Sequence, residues 1–251
     1  MKRGPMSKAI VILSDLQAPY HDVAAVNAIK KFIYAYQPDT VATCGDEIDF
    51  PQISRWEEGG EGEWQRDLGR HRDVASKLLE DLTVEHMVRS NHSDRLYNKI
   101  KTKVPGFLGL PELEIENFLR LPELGIKYHK DPFEIAPGWL LMHGDEGNVQ
   151  PTAGATALGL AKRAGMSVAC GHTHRAGLTH HTQGYAGRTR TVWGMELGNL
   201  MDYKYARYIK AGLFTWNKGF GILHVDGKTV IPQLVPIVNN SFVVDGHVWK
   251  W

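Results

Sequence analysis

Five short apolar runs in this chain each end in residues with metal-binding or acid–base side chains, and that recurrence limits the folds open to it. Ala9-Ile10-Val11-Ile12-Leu13 delivers Ser14-Asp15-Leu16-Gln17, and Thr40-Val41-Ala42-Thr43-Cys44 delivers Gly45-Asp46-Glu47-Ile48-Asp49. Val84 to Val88 leads into Arg89-Ser90-Asn91-His92-Ser93-Asp94-Arg95, Trp139 to Met142 into His143, and Ser167 to Cys170 into Gly171-His172-Thr173-His174-Arg175. Apolar runs of this length read as strands buried on both faces. Between the first two, Asp22 caps a predicted helix that carries Val26, Ile29, Ile33 and Tyr36 at helical spacing and closes at Pro38. Strand, helix, strand opens a βαβ unit, and ligand sites in such sheets lie beyond the carboxyl ends of the strands. Parallel strands would gather all five ends on one edge.

The rest of the chain fits one α/β or α+β domain over residues 1–251. Residues 51–62 read as an exposed acidic insertion, Glu63–Leu82 as a long helix, and Leu96–Lys103 and Pro111–Leu121 as helices. Phe133–Ile135 pairs with Trp139–Met142 around Pro137-Gly138, and Thr152–Ala164 is helical. The remainder is β-rich: Leu178–His181, Arg188–Trp193, Leu213–Trp216, Gly221–His224, Val230–Leu234 and Phe242–Val244, with 212–251 expected to complete a second sheet. A formal net charge of +1 gives no global field toward nucleic acid or membrane. No apolar stretch approaches the ~18–20 residues of a membrane span, and Ala9–Leu13 is too short for a signal segment, so a soluble cytoplasmic protein is expected. The two cysteines, Cys44 and Cys170, each end an apolar run and read as buried thiols.

Imidazole is the commonest neutral metal ligand near pH 7. Each strand end taken alone has an ordinary reading as a turn, a cap or a satisfied polar residue; the ordered set of five points to metal-dependent hydrolysis. It resembles the calcineurin-like metallophosphoesterase superfamily, whose signature is D-x-H, G-D, G-N-H-[DE], H and G-H-x-H, and within it the small branch common in bacteriophages and bacteria. The resemblance implies a four-layer α/β/β/α sandwich of two mixed sheets flanked by helices, with two divalent metals at the strand ends. It implies that Asp15, Gln17, Asp46 and His174 hold the first metal and Asp46, Asn91, His143 and His172 the second, with Asp46 shared. His92 would face the scissile phosphate and protonate the leaving oxygen. Mixed N and O donors suit transition metals, Mn first, with Fe, Zn, Ni or Co as alternatives. With no Ser, Cys or Thr placed as a nucleophile beside a base, attack by a metal-bound hydroxide is expected.

The chain departs from the pattern at three places. Gln17 stands where the family has histidine, which weakens the first site; His21 either compensates or is a surface residue ahead of the helix. Ser90 replaces a glycine and Ser93 an acid, so Asp94 either takes a supporting role or caps the next helix. Asp49 is expected to support a bound water or a ligand histidine. Arg95 and Arg175 flank the site and either meet a phosphate or pair elsewhere. Trp193–Asn199 could border the pocket.

The expected function is a phosphodiesterase acting on small phosphodiesters such as 2′,3′-cyclic nucleotides. The alternatives are a phosphomonoesterase or protein phosphatase, a DNA nuclease, and, in another class, a metal-binding scaffold with weakened catalysis. A small-molecule partner is expected, no membrane, and nucleic acid is possible but not favoured: a nuclease should show a basic channel.

Overall fold

Alternate side chains of the first strand, β1 (Lys8–Leu13), enter two different cores, and that alternation builds the whole molecule. In this computed structural model, which describes residues 8–206 and 215–251, Ala9, Val11 and Leu13 pack among helical residues, whereas Ile10 and Ile12 face a second sheet. The first sheet has the order β11 (Thr229–Ile237), β10 (Lys218–Asp226), β1, β2 (Thr40–Thr43), β3 (His86–Val88) and β4 (Lys127–His129). The second has β5 (Phe133–Ala136), β6 (Trp139–Leu141), β7 (Ser167–Cys170), β9 (Arg188–Leu197) and β8 (Ala176–Tyr185). The helices α1 (Val23–Tyr36) and α2 (Leu68–Asp81) cover the outer face of the first sheet through Ile29, Phe32, Ala75 and Leu79. Val168 and Cys170 of β7 turn outward to Ala157, Leu160 and Ala161 of α5 (Ala155–Ala164). Three cores thus separate four layers, the expected α/β/β/α sandwich.

Strands β1, β2, β3 and β4 run parallel, as do β6, β7 and β9. The ends of β1, β2, β3, β6 and β7 therefore meet along one edge between the sheets. Asp22 caps α1 as expected, its carboxylate accepting from the Ala24 and Ala25 amides at 3.1 Å each.

Elsewhere the structure corrects the sequence reading. Of the segment 212–251 expected to complete the second sheet, the described strands do not join it: β10 pairs antiparallel with β1, and β11 with β10, so these two extend the first. A separate hairpin of β12 (Ser241–Val244) and β13 (His247–Lys250) packs Phe242 and Trp249 against Phe32. The strand expected at Leu213–Trp216 falls partly outside the described residues, and Thr215 and Trp216 form none. Pro111–Leu121 is not one helix but a 3-10 turn followed by the single turn α4 (Ile115–Phe118), with Glu114 extended between them. Arg120 takes a left-handed backbone (φ 58°), which turns Leu121 into the core beside Leu119, a direction a continuing helix would deny it. The helix expected from Glu63 begins at Leu68, because Glu63 instead accepts the Gly59 amide at 2.7 Å. The third helix, α3 (Ser93–Lys103), starts directly after His92, three residues before its expected start. Residues 51–62 are not wholly exposed: Pro51, Gln52 and Ser54 are buried, and only the stretch from Arg55 onward reaches solvent freely.

Candidate metal centre

Five of the seven expected ligands sit on left-handed backbone: Asp15 (φ 51°), Gln17 (55°), Asp46 (58°), His172 (64°) and His174 (56°). A non-glycine residue in this region costs on the order of 1–3 kcal/mol and persists only where its surroundings fix it. Here the strand-end loops fix one another. The Asp15 amide donates to Gly45 O at 3.1 Å, the Gln17 amide to Asp46 O at 2.8 Å, and the Gly171 amide to His143 O at 2.8 Å. The His172 amide donates to Asp15 Oδ2 at 3.0 Å.

This bracing gathers two donor clusters that share one carboxylate. Asp46, His143 and His172 form one; Asp15, Asp46 and His174 form the other; in each, the donor atoms lie within 4.8 Å of one another. The residues fit cations on two observations. Gln17 Oε1 and His174 Nδ1 are buried with no hydrogen-bond partner, and Asp15 Oδ1 faces only His174 Nε2, 3.0 Å away. His143 Nδ1 donates to Cys44 O at 2.7 Å, which leaves its Nε2 lone pair facing Asn91 Oδ1 at 2.8 Å. Two acceptors so placed need a proton or a cation between them. In the metal-free protein a proton fills that need: burial disfavours the charged ring, but Asp46, by its charge and its hydrogen bond, outweighs it and raises His143 to about 10. Burial would lift Asp46 itself, yet His143, His92 and His172 hold it well below the usual carboxylate range. Asp15 is likewise lowered against its burial by His174, 3.0 Å away.

Gln17 lies inside the site, its Nε2 donating to Asp46 Oδ2 at 3.2 Å. Its oxygen is left toward the first cluster as a neutral, harder donor than imidazole. Gln17→His is expected to tighten that site at least tenfold and move its preference from Mn toward Zn, read by metal titration with stoichiometry. Unchanged affinity and preference would show that Gln17 is not a donor. His21 does not compensate: its backbone bridges to Met201 and it belongs to neither cluster.

His92 stands beside the clusters, Nε2 3.6 Å from Asp46 Oδ2 and 2.6 Å from an Arg95 nitrogen. Its Nδ1 lies 3.6 Å from Asp49 Oδ1, so Asp49 serves His92 and none of the expected ligand histidines. Burial lowers the His92 ring to about 3, with Arg95 and His143 adding to the effect and Asp46 opposing it. Burial raises Asp49 to about 6 despite Arg95. Asp94 does not reach the cluster: Arg89 takes its carboxylate at 2.5 Å and Asp145 at 2.7 Å, tying the third strand end to the fourth. Arg175 is turned aside, bonded to Gln150 O and Thr215.

Three supporting residues carry no motif. Arg89 is one. Glu196, fully buried, accepts the Thr156 amide at 2.8 Å and the Ala157 amide at 3.2 Å in the first turn of α5, and the Thr173 hydroxyl at 2.8 Å. It thereby clamps the Gly171–His174 loop to a helix N-terminus. Asn199 donates to His174 O at 3.2 Å. The available signal for Glu196 was a lone acid inside the apolar run Val192–Leu197.

The clusters open into a cavity of about 410 Å³ walled by Trp56 and Trp216, and among the described residues Arg95 is the one cationic side chain other than histidine that lines it. The Trp216 ring lies 4.0 Å from that of His174.

No protein-family model matches the chain. The Gene 54 protein of Mycobacterium phage D29 is 38% identical over 254 aligned positions, spanning 98% of this chain and 100% of its own. The Gene 54 protein of Mycobacterium phage L5 is 37% identical over the same length, with the same coverage. Among solved structures, Vacuolar Protein Sorting 29 from Cryptosporidium parvum gives a TM-score of 0.49 at 13% identity over 97% of this chain and 95% of its own. Yfce, a phosphoesterase from E. coli, gives 0.39 at 13% over 92% and 100%. The chain belongs to the family of the mycobacteriophage Gene 54 proteins, and its strand-end motifs, converging on one edge of a four-layer sandwich, resemble those of the calcineurin-like metallophosphoesterases apart from Gln17, Ser90 and Ser93.

Proposed function

We propose that the protein is a metal-dependent phosphodiesterase acting on small phosphodiesters such as 2′,3′-cyclic nucleotides. The observation that carries this reading is the pair of donor clusters sharing Asp46 at the mouth of the cavity. Two divalent transition ions, Mn first, would be held by Asp15, Gln17, Asp46 and His174 and by Asp46, Asn91, His143 and His172; when bound they supply charge neutralisation at the phosphate and a water of lowered pKa.

The remaining residues set the substrate and the proton. Arg95, whose guanidinium donates to Asp49 O, lines the cavity together with the carboxylates of Asp49 and Glu57, and the two acids favour a singly charged diester over a doubly charged monoester. The indoles of Trp56 and Trp216 give a flat leaving or attached group, such as a nucleoside, apolar walls. In the resting protein His92 is neutral, its Nε2 accepting from Arg95. An anionic phosphate draws Arg95 onto itself and places negative charge beside Nε2, both of which raise the ring's affinity for a proton. Nε2 then takes a proton from solvent in the cavity, Asp49 stabilises the imidazolium from the Nδ1 side, and His92 delivers that proton to the leaving oxygen and returns to neutral.

With Mn-loaded protein, bis-p-nitrophenyl phosphate is expected to turn over at least tenfold faster than p-nitrophenyl phosphate, with 2′,3′-cyclic nucleotides also hydrolysed. His92→Ala is expected to lower kcat about 10²–10⁴-fold with metal content unchanged. Absence of metal-dependent turnover on every one of these substrates overturns the reading; undiminished turnover in His92→Ala removes the proton donor from it.

A further inference from the structure

We propose that a groove leading out of this cavity along α3 binds single-stranded nucleic acid, so that the phosphodiester presented to the metal centre can belong to a strand. The inference rests on the phosphodiesterase reading above and extends its substrate class.

A second cavity, of about 520 Å³, adjoins the first and shares Trp56, Asn91 and Arg95 with it. Asn91 is an expected metal donor, so the two are continuous at the site itself. From there one face of α3 lines the groove: residues 95, 98, 99, 102 and 103 recur at helical spacing. The eight residue steps of helix from Arg95 to Lys103 rise about 12 Å, well beyond the reach of one phosphate. Among the described residues Arg55, Arg95, Lys99 and Lys103 line it with one carboxylate, Glu58, while Glu63 reaches Lys99 from outside the lining. The chain's near-neutral total thus conceals a local cationic track, and that is the channel a nuclease requires.

The opposite wall supplies the second element of strand recognition. Trp56 is 74% exposed, with the Arg55 guanidinium 4.6 Å from its ring centre. An exposed indole costs free energy in water unless something covers it. At the junction of a metal cavity and a cationic groove, the flat apolar partner that brings its own phosphates is a nucleobase. Stacking of that kind needs an unpaired base, which selects a single strand over a duplex. Lys99 and Lys103 now pair with Glu63 at 3.2 Å and Glu58 at 3.3 Å. Both pairs are solvent-accessible and weak, and phosphate oxygens can take the places of the carboxylates. Thr102 and Asn98 add neutral polar groups to the same lining.

The test measures fluorescence polarisation of a labelled twelve-residue oligothymidylate with metal-free protein, beside dye hydrolysis by Mn-loaded protein. Wild type is expected to bind the single strand at least tenfold tighter than a duplex of equal length. Lys99→Ala/Lys103→Ala is expected to weaken binding at least tenfold at about 50 mM salt and to lower the slope of log affinity against log salt by about 1.4. Trp56→Ala is expected to weaken binding about tenfold with the salt slope retained, since stacking carries no counterion release. Equal affinity in wild type and the double variant, or a duplex bound as tightly as the single strand, overturns the groove. A strand bound through these residues without dye hydrolysis supports the groove and overturns the phosphodiesterase reading. Dye hydrolysis without strand binding overturns the groove alone.

Discussion

Asp46→Asn is expected to abolish metal-dependent hydrolysis, lowering kcat/KM by roughly 10³-fold or more, about 4 kcal/mol of transition-state stabilisation. Asp46 is the one residue common to both donor clusters. Its Oδ1 lies 3.4 Å from His143 Nε2 and accepts the His92 amide at 3.2 Å, while Oδ2 accepts from Gln17. Asparagine keeps the shape but loses the charge, and it offers one oxygen where two are needed. Bound metal is expected to fall from two ions per chain to at most one. Retention of two ions and of activity would show that the carboxylate is not shared.

The same carboxylate sets the pH response. With Asp46 present, His143 is raised to about 10, so at neutral pH a metal must displace its proton. Below that value the apparent affinity of the second site is expected to rise about tenfold for each unit of pH. Metal binding should release a proton into weakly buffered solution. In Asp46→Asn the largest cause of the raised value is gone, leaving only the charges of Asp15 and Asp145 to raise it, and the dependence should flatten at a lower pH than in wild type. Without metal, the two groups also stabilise the fold over a defined window. The contribution of His143 is complete below its unfolded value and is lost as pH rises through about 10. That of Asp46 is present above its unfolded value and is lost as pH falls through its depressed one. Metal titrations at pH 7, 8 and 9, paired with denaturation of the metal-free protein, check both signs.

The strands that carry the site were legible because burial on both faces forces an unbroken apolar run, and the polar residues that follow each run stand out against it. Ser167–Cys170 matches β7 residue for residue. Sheet membership was not legible. Nothing in Gly221–His224 or Val230–Leu234 says which sheet they join, since pairing with β1 is a contact more than 200 residues distant in sequence. β4 escaped notice because its Lys-Tyr-His sits at the sheet edge and is only partly buried. Residues 51–62 resembled a solvated loop because Glu57, Glu58 and Glu61 dominate their composition, yet Ser54, Trp56 and Glu57 line the cavity. Glu196 and Arg89 act through buried hydrogen bonds to other loops, and no local pattern encodes such a partner. Asp94 illustrates the converse: its position beside the motif invited a role that Arg89 has taken from it.

Gly171→Ala is expected to unsettle the site through space alone. A Cβ on Gly171 would lie 1.8 Å from Ser14 Oγ and 2.2 Å from Asp15 Oδ2. Neither neighbour can retreat easily: Ser14 and Asp15 are fully buried, their side chains hydrogen-bonded to each other at 2.5 Å. The glycine is held as well, by its amide to His143 O and by its carbonyl accepting from the Thr173 amide at 2.7 Å. Overpacking of this kind costs about 3 kcal/mol, which for a chain of this size lowers Tm by about 6–12 °C. The displaced group is the Asp15 carboxylate, so metal at the cluster of Asp15, Asp46 and His174 should be lost first, with His143 and His172 still competent to bind. Ser14→Ala/Gly171→Ala removes the nearest atom and should recover part of the Tm. Because Asp15 Oδ2 still obstructs the new methyl, it should recover little of the first metal site. Gly106→Ala is the matched control: it too adds a methyl to a glycine outside the left-handed region, but with nothing within 4 Å, so it reads the added methyl without a clash. If Gly171→Ala melts with wild type and binds both metals, then the close approach of the Gly171 loop to Asp15 does not hold the first site together.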